Sequence, residues 1–316
     1  MATPEGAIQV TRELVILRAL GLGDFLTAVP AYRALRRAYP EHRLVLAAPG
    51  SLAALTPLTA AIDEVLPTPG LAPLCWRRPP PAVAVNLHGR GPRSHELLAA
   101  LAPRSSVGFR SAGWDGPAWR DDEHETDRWC RLLIHHGIAA DPTDLLLPAP
   151  AAPGPAPGAV VIHPGAAYGC RRWPADRFAA VVRALAASGH RIVVTGNRAE
   201  RGIAERVGAD LGPRAILAGT TDHGELATLI AHASLVICGD TGVGHLATAF
   251  GTPSVLLFGP TPPAWWGPRT GGPHQVLWHA DRVLGDRWSD TPDPALLAIT
   301  PDEVLAAART QLSGAA

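Results

Sequence analysis

The chain of 316 residues contains no lysine, so all 28 of its basic residues are arginine. That excludes a Schiff-base lysine and a Walker-type phosphate lysine, and any phosphate must be held by arginine or by backbone amides. Cysteine is scarce: Cys75, Cys130, Cys170 and Cys238 lie far apart without a Cys-x-x-Cys pair, which points to reduced thiols rather than a zinc site or a disulfide framework. The 13 histidines include no His-Glu-x-x-His, and the adjacent His135 and His136 point in different directions on a helix, so no metal centre is expected. No apolar run approaches the ~20 residues of a membrane-spanning helix. Met1 to Thr11 holds no apolar run followed by a small-residue cleavage site, so the reading is a cytoplasmic protein without a secretory signal. Excess charge is absent too, since 28 acidic residues balance the arginines and leave no overall field to gather nucleic acid or an anionic membrane. There is neither an Asp-x-Asp pair to hold a divalent cation on a diphosphate nor a Gly-x-Ser-x-Gly nucleophile turn.

What is present is alternation. Short Leu-rich or β-branched runs at 14–17, 43–47, 63–66, 82–87 and 106–109 are separated by Ala-, Leu- and Arg-rich helical stretches. This is the pattern of an α/β fold whose parallel sheet is covered on both faces. Residues 148–158, PAPAAPGPAPG, read as a semi-rigid extended connector that ends a first domain at about residue 150. The alternation restarts at 159–163, 191–195, 215–217, 235–239 and 254–258, giving a second domain over 158–300. Pro301 opens a final amphipathic helix in 301–316 that is expected to pack back on the first domain.

Three loop segments carry the candidate chemistry. In VICGDTGVGHLATAFGTP a strand ends at Gly239-Asp240 and a helix opens at Thr241-Gly242, where glycines and a positive helix end suit a phosphate as well as they suit a structural turn. Asp240 beside a phosphate is repulsive and reads as an acceptor of sugar hydroxyls or of neighbouring amides; His245 reads either as a ligand donor or as helix packing. In HPGAAYGCRRWP, Arg171 and Arg172 precede a helix expected to start at Pro174, and two guanidinium forks suit a diphosphate unless they are idle surface arginines. In LRALGLGDFLTAVP the Gly-x-Gly-Asp spacing lacks the third glycine of a dinucleotide fingerprint. Asp24 there reads first as a helix N-cap and second as a general base. Trp129 and Trp173 are assigned to the core, Trp265 and Trp266 to sugar or base stacking, and Asp121-Asp122-Glu123 to a solvated patch.

Taken in order, Gly23-Asp24…Pro30, Arg171-Arg172-Trp173-Pro174 and Asp240-Thr241-Gly242…His245-Leu246 resemble the heptosyltransferase family, glycosyltransferase family 9. Asn86-Leu87-His88-Gly89…Arg93-Ser94 and Phe258-Gly259-Pro260-Thr261 extend the likeness over roughly 14–268. The resemblance implies a GT-B architecture of two Rossmann-like domains facing across a cleft, with the acceptor on 1–150 and the nucleotide sugar on 158–300. It implies inverting, metal-independent transfer from ADP-heptose or a related ADP-sugar to an acceptor hydroxyl, with no cofactor beyond the donor. Asp24 matches the catalytic base, and Asp240, Thr241 and Gly242 match donor contacts. Arg171 stands where the family has a phosphate-binding lysine, with Arg172 and His245 beside the donor, Glu200 near its ribose-binding acid, and His88 and Arg93 on the acceptor side. Ala166 and Ala167 depart from the hydroxyl residues the family carries at those positions, so diphosphate contacts must come from elsewhere. The acceptor is expected to be a glycan, a lipid-linked sugar or a natural product. Arg33, Arg36 and Arg37 read as a solvated helix face before they read as a peripheral membrane contact. The rival readings are a nucleotide-sugar epimerase of the same architecture and a non-catalytic nucleotide-sugar binding protein.

Overall fold

β1, Arg12–Leu17, ends in four consecutive buried apolar residues, Leu14 to Leu17, and β2, His42–Ala48, ends in five. Unbroken apolar runs rather than alternating ones are what strands covered on both faces require. With β3 Glu64–Pro67, β4 Val83–Asn86 and β5 Ser105–Val107 they form a wholly parallel sheet in the order β3-β2-β1-β4-β5. Leu14 of β1 stands opposite Leu44 of β2 and Val83 of β4. Val15, Leu17, Ala47, Ala84, Leu98 and Trp114 pack together in one core cluster.

A second parallel sheet follows, of β6 Val160–His163, β7 Ile192–Val194, β8 Leu235–Gly239, β9 Ser254–Leu257 and β10 His274–Leu277, in the order β10-β9-β8-β6-β7. The computed structural model describes residues 12–269, 271–279 and 286–314. The Met1 to Thr11 segment read for a signal lies outside them, as do residues 315–316 of the final segment. The expected strand at 215–217 is reduced to a single parallel bridge between Val194 and Ile216, because Pro213 to Ala215 wind into a 3-10 turn directly before it. β10, which the sequence did not announce, is an edge strand whose four residues are all half-buried.

The chain folds into two compact units, and their bounds are not contiguous. The first comprises the described parts of Met1–Leu20, Ala31–Trp119 and Trp129–Ala140; the second comprises Gly21–Pro30, Arg120–Arg128 and the described parts of Asp141–Ala316. The Pro-rich connector lies inside the second unit, without helix or strand, and is bonded to it. The Leu147 N–H donates to Ala249 O at 2.7 Å, the Gly158 N–H donates to His232 O at 2.8 Å, and Gly154 sits against Thr228. The C-terminal helix, Pro301–Gly314, belongs to the second unit, where it packs on the helix Ala175–Ala187 and on β8, β9 and β10. The reason is its apolar stripe, since Val304, Leu305, Ala307 and Ala308 belong to the core cluster of the second sheet. A fully buried Val or Leu contributes roughly 1.5–3 kcal/mol, enough to fix that docking. Trp173 and Trp129 are core residues as expected, with Trp173 donating through Nε1 to Ile299 O at 3.1 Å. Among the described residues no helix is long and apolar enough to cross a membrane. Arg33 donates to Thr59 O, and Arg36 to Ala61 O and His42 O with an ion pair to Asp63, so these two are tied into the first unit.

Candidate active site

In the second sheet β6 leads to β7 on one side while its other neighbour, β8, leads to β9, so the loops leaving β6 and β8 part company at their carboxyl ends. Such a switch point is where open parallel sheets bind ligands. Both segments singled out in the sequence lie here. From β8 the chain passes Asp240 into the helix Gly242–Phe250, capped by Thr241, whose hydroxyl accepts from the Val243 N–H at 3.2 Å. From β6 it passes the loop 164–174, whose Arg171 places a guanidinium nitrogen 3.4 Å from Asp240 Oδ2. Asp240 is buried, and burial pushes its carboxyl above the usual range while the Arg171 charge opposes that. Neither Arg171 Nε nor Asp240 Oδ2 has a hydrogen-bond partner among the described residues. A half-buried guanidinium and a buried carboxylate with spare capacity, beside a helix start rich in glycine, form a polar end ready for an anion and for hydroxyl groups.

Arg172 takes a different course. It is exposed, its Nε donates to Ala166 O at 2.8 Å, and it lines a separate groove of about 560 Å³ with Arg183 and Arg206. Glu200 lies against the start of the same loop, where a Cβ on Gly165 would fall 2.2–2.5 Å from its carboxylate and force that side chain to shift. Its Oε2 accepts from the Asn197 N–H at 2.8 Å in a reciprocal capping box, which occupies one oxygen in local structure. His163, at the end of β6, bonds through Nδ1 to Thr195 Oγ1 at 3.0 Å.

Asp24 belongs to the same unit. The helix Leu22–Thr27 has Gly21 at its N-cap in extended backbone, so Asp24 is not the cap expected from the sequence but a residue of the first turn. Gly21 takes the cap because the extended backbone there leads the chain straight out of the Leu20 turn, and the Phe25 N–H closes back on Gly21 O. This helix packs on the helix Gly242–Phe250 through glycine: a Cβ on Gly242 would stand 2.8 Å from Leu22 Cβ and 3.1 Å from the Gly23 nitrogen, and a Cβ on Gly23 would stand 2.8 Å from His245 Cδ2. His245 thus touches the turn that carries Asp24. Burial, aided by His124 and Arg171, pushes its pKa down to about 4, so it is neutral at physiological pH. Its ring meets Trp266 edge-on at 5.8 Å, and Asp240, Thr241, His245, Thr248, Phe258 and Trp266 line one small cavity. His124, which the sequence did not single out, accepts the Thr126 N–H at Nδ1, and its Nε2 lies 3.0 Å from Gly267 O. A carbonyl only accepts, so His124 carries its proton on Nε2.

The acceptor-side candidates belong to the first unit, at the switch point where β1 neighbours β4. His88 is half-buried, its Nδ1 has no hydrogen-bond partner among the described residues, and burial together with Arg18 lowers its pKa to about 4. Arg18 is fully buried, donates to Leu87 O and stacks 4.7 Å over Trp129. Arg93 is exposed and donates to Leu71 O at 2.9 Å, and among the described residues no bond joins it to His88. Asn86 ties the turn down, donating to Ser94 Oγ at 2.9 Å and accepting the His88 N–H at 3.0 Å.

Residues 147–281 match the family model of glycosyltransferase family 9 (heptosyltransferase). No curated protein matches the chain. Among solved structures it is similar to a family 9 glycosyl transferase from Veillonella parvula, at 20% identity over 98% of this chain and 100% of that one, with a TM-score of 0.79. It is also similar to the E. coli ADP-heptose lps heptosyltransferase II, at 21% identity over 96% of this chain and 99% of that one (TM-score 0.77). A third likeness is to E. coli heptosyltransferase WaaC with ADP, at 19% identity over 96% and 100% of the two chains (TM-score 0.69). These likenesses give the fold, the GT-B arrangement of two parallel α/β sheets. The matched segment holds the second sheet with Arg171, Glu200, Asp240, Thr241, Gly242 and His245, and it is this part of the chain that is similar to glycosyltransferase family 9.

Proposed function

We propose that this chain transfers a heptose or related sugar from an ADP-sugar to an acceptor hydroxyl, with inversion at the anomeric carbon and without a metal ion. The observation that carries this reading is the packing of the Asp24 helix on the helix Gly242–Phe250 within one compact unit, which supports a base on the one helix acting on a diphosphate held at the start of the other. The acceptor oxygen attacks the anomeric carbon as the bond to the diphosphate breaks. Asp24 takes the proton, which becomes acidic as the new bond forms. Charge gathering on the departing diphosphate is met by the Arg171 fork and by the N–H groups at the start of the helix Gly242–Phe250, donors fixed before the reaction begins. With His245 neutral, the positive charge at this end comes from Arg171. ADP and ADP-heptose appear in the descriptions of the similar structures, which supports the adenine nucleotide as the donor. A cytoplasmic enzyme using a glycan, lipid-linked or natural-product acceptor, contacted by His88 and Arg93, completes the proposal.

Calorimetric titration of the protein in EDTA with ADP, GDP, UDP and dTDP tests it. Selective binding of ADP is the expected result. Preference for another nucleotide overturns the donor assignment, and binding only after a divalent cation is restored overturns the metal-free mechanism.

A further inference from the structure

Trp288 is a large aromatic side chain left 59% exposed, yet it is not loosely attached. The turn that carries it is strapped across the end of the loop from β6. The Cys170 N–H donates to Ser289 O at 2.9 Å, Cys170 Sγ donates to Arg287 O at 3.3 Å, and the Asp293 N–H donates to Cys170 O at 3.4 Å. A Cβ on Gly169 would fall 1.7 Å from Asp290 O, so the loop admits the strap only because that residue is glycine. The turn is braced internally by the Trp288 N–H to Asp286 Oδ1 at 2.9 Å, and the Arg287 guanidinium rests 5.2 Å over Trp265 in the short helix Pro263–Trp266 after β9. So held, the Trp288 ring meets Tyr168 edge-on at 5.0 Å, and the Arg171 guanidinium lies 5.8 Å from the Tyr168 ring and 5.9 Å from that of Trp288.

An aromatic corner, a guanidinium with an unpartnered Nε and a buried carboxylate with an unpartnered oxygen meet in this one place. Carbohydrates call for that combination, because a sugar ring presents C–H faces to aromatic rings and hydroxyl edges to charged groups. Nucleobases also stack, but the family resemblance assigns Glu200, which lies against Gly165 at the other end of the loop, to the ribose of the donor. A donor laid from Glu200 to Arg171 carries its sugar at the Arg171 end. Resting on the proposed function, we infer that Trp288 and Tyr168 form the face on which the transferred sugar of the donor packs, and so help determine which sugar is accepted.

The test measures the affinity of wild type, Trp288→Ala, Tyr168→Ala and Trp288→Phe for ADP and for ADP-heptose. The inference expects both alanine variants to bind ADP within about threefold of wild type, which also shows that they are folded. It expects them to bind ADP-heptose roughly 5- to 30-fold more weakly, the size of one lost aromatic contact, with Trp288→Phe close to wild type. Equal weakening toward both ligands would mean that the aromatic pair only steadies Arg171 and overturns the inference, as would unchanged affinity for ADP-heptose. A wild-type protein that binds neither ligand sinks the proposed function itself, and this inference with it. If it binds both and only the alanine comparison fails, the proposed function stands.

Discussion

Arg171 replaces a point charge with a fork, and its surroundings use the fork: Asp240 stands on one side and two aromatic faces on the other. Arg171→Lys keeps the charge and loses the planar geometry, so ADP affinity should fall roughly tenfold, with a larger fall for Arg171→Ala, both read by titration calorimetry. The histidines make a second prediction. His88, His95 and His245 each have a pKa lowered to about 4, chiefly by burial. Between about pH 6.5 and 4 the unfolded chain then binds protons that the folded one refuses, so stability is lost as pH falls through that window and changes little above it. The melting temperature should therefore be flat from about pH 7 to 8 and drop below about pH 6.5. His95 is the sharpest case, 2% exposed against Trp114 with both ring nitrogens lacking a hydrogen-bond partner among the described residues, and His95→Leu should flatten the slope. At this scale the motifs named Arg171, Asp240 and Asp24, while helix propensity alone put Asp24 at the cap rather than in the first turn. Cap and first turn are a few residues apart, and only the extended backbone at Gly21 separates them. Trp288 and His124 gave no signal, because their roles arise from segments distant in the chain that fold onto the site.

Helices Leu22–Thr27 and Gly242–Phe250 meet at Gly23 and Gly242, which lie against His245 and Leu22 of the opposite helix, and that contact is the element on which the proposed chemistry depends. Gly242→Ala would drive a methyl group onto the Gly23 nitrogen and Leu22, backbone and near-backbone atoms that cannot swing away. A loss of about 1–3 kcal/mol is expected, read in denaturant unfolding, with turnover falling further because Asp24 shifts. The strands were legible wherever both faces are buried, since a run such as VVIH or LVICG admits few other readings. β10 escaped notice because HQVL is half-buried throughout and its apolar run is only Val276 and Leu277. Residues 215–217 have the apolar composition of a strand, but the 3-10 turn over Pro213–Ala215 leaves room for one bridge.

At the scale of the molecule, the two-sheet plan was readable because the alternation stops at a Pro-rich stretch and restarts. The compact units were not, because Gly21–Pro30 and Arg120–Arg128 leave the first half of the sequence to join the second unit. Side-chain packing of that kind has no periodicity to announce it. The consequence is functional: the unit that carries Arg171, Asp240 and Thr241 also carries Asp24. The most direct measurement is steady-state turnover of ADP-heptose by Asp24→Asn beside its affinity for ADP. A fall in kcat of roughly 10²- to 10⁴-fold with ADP affinity within about threefold of wild type is the result expected of a lost general base. Undiminished turnover in that variant would contradict the assignment of Asp24 as the base.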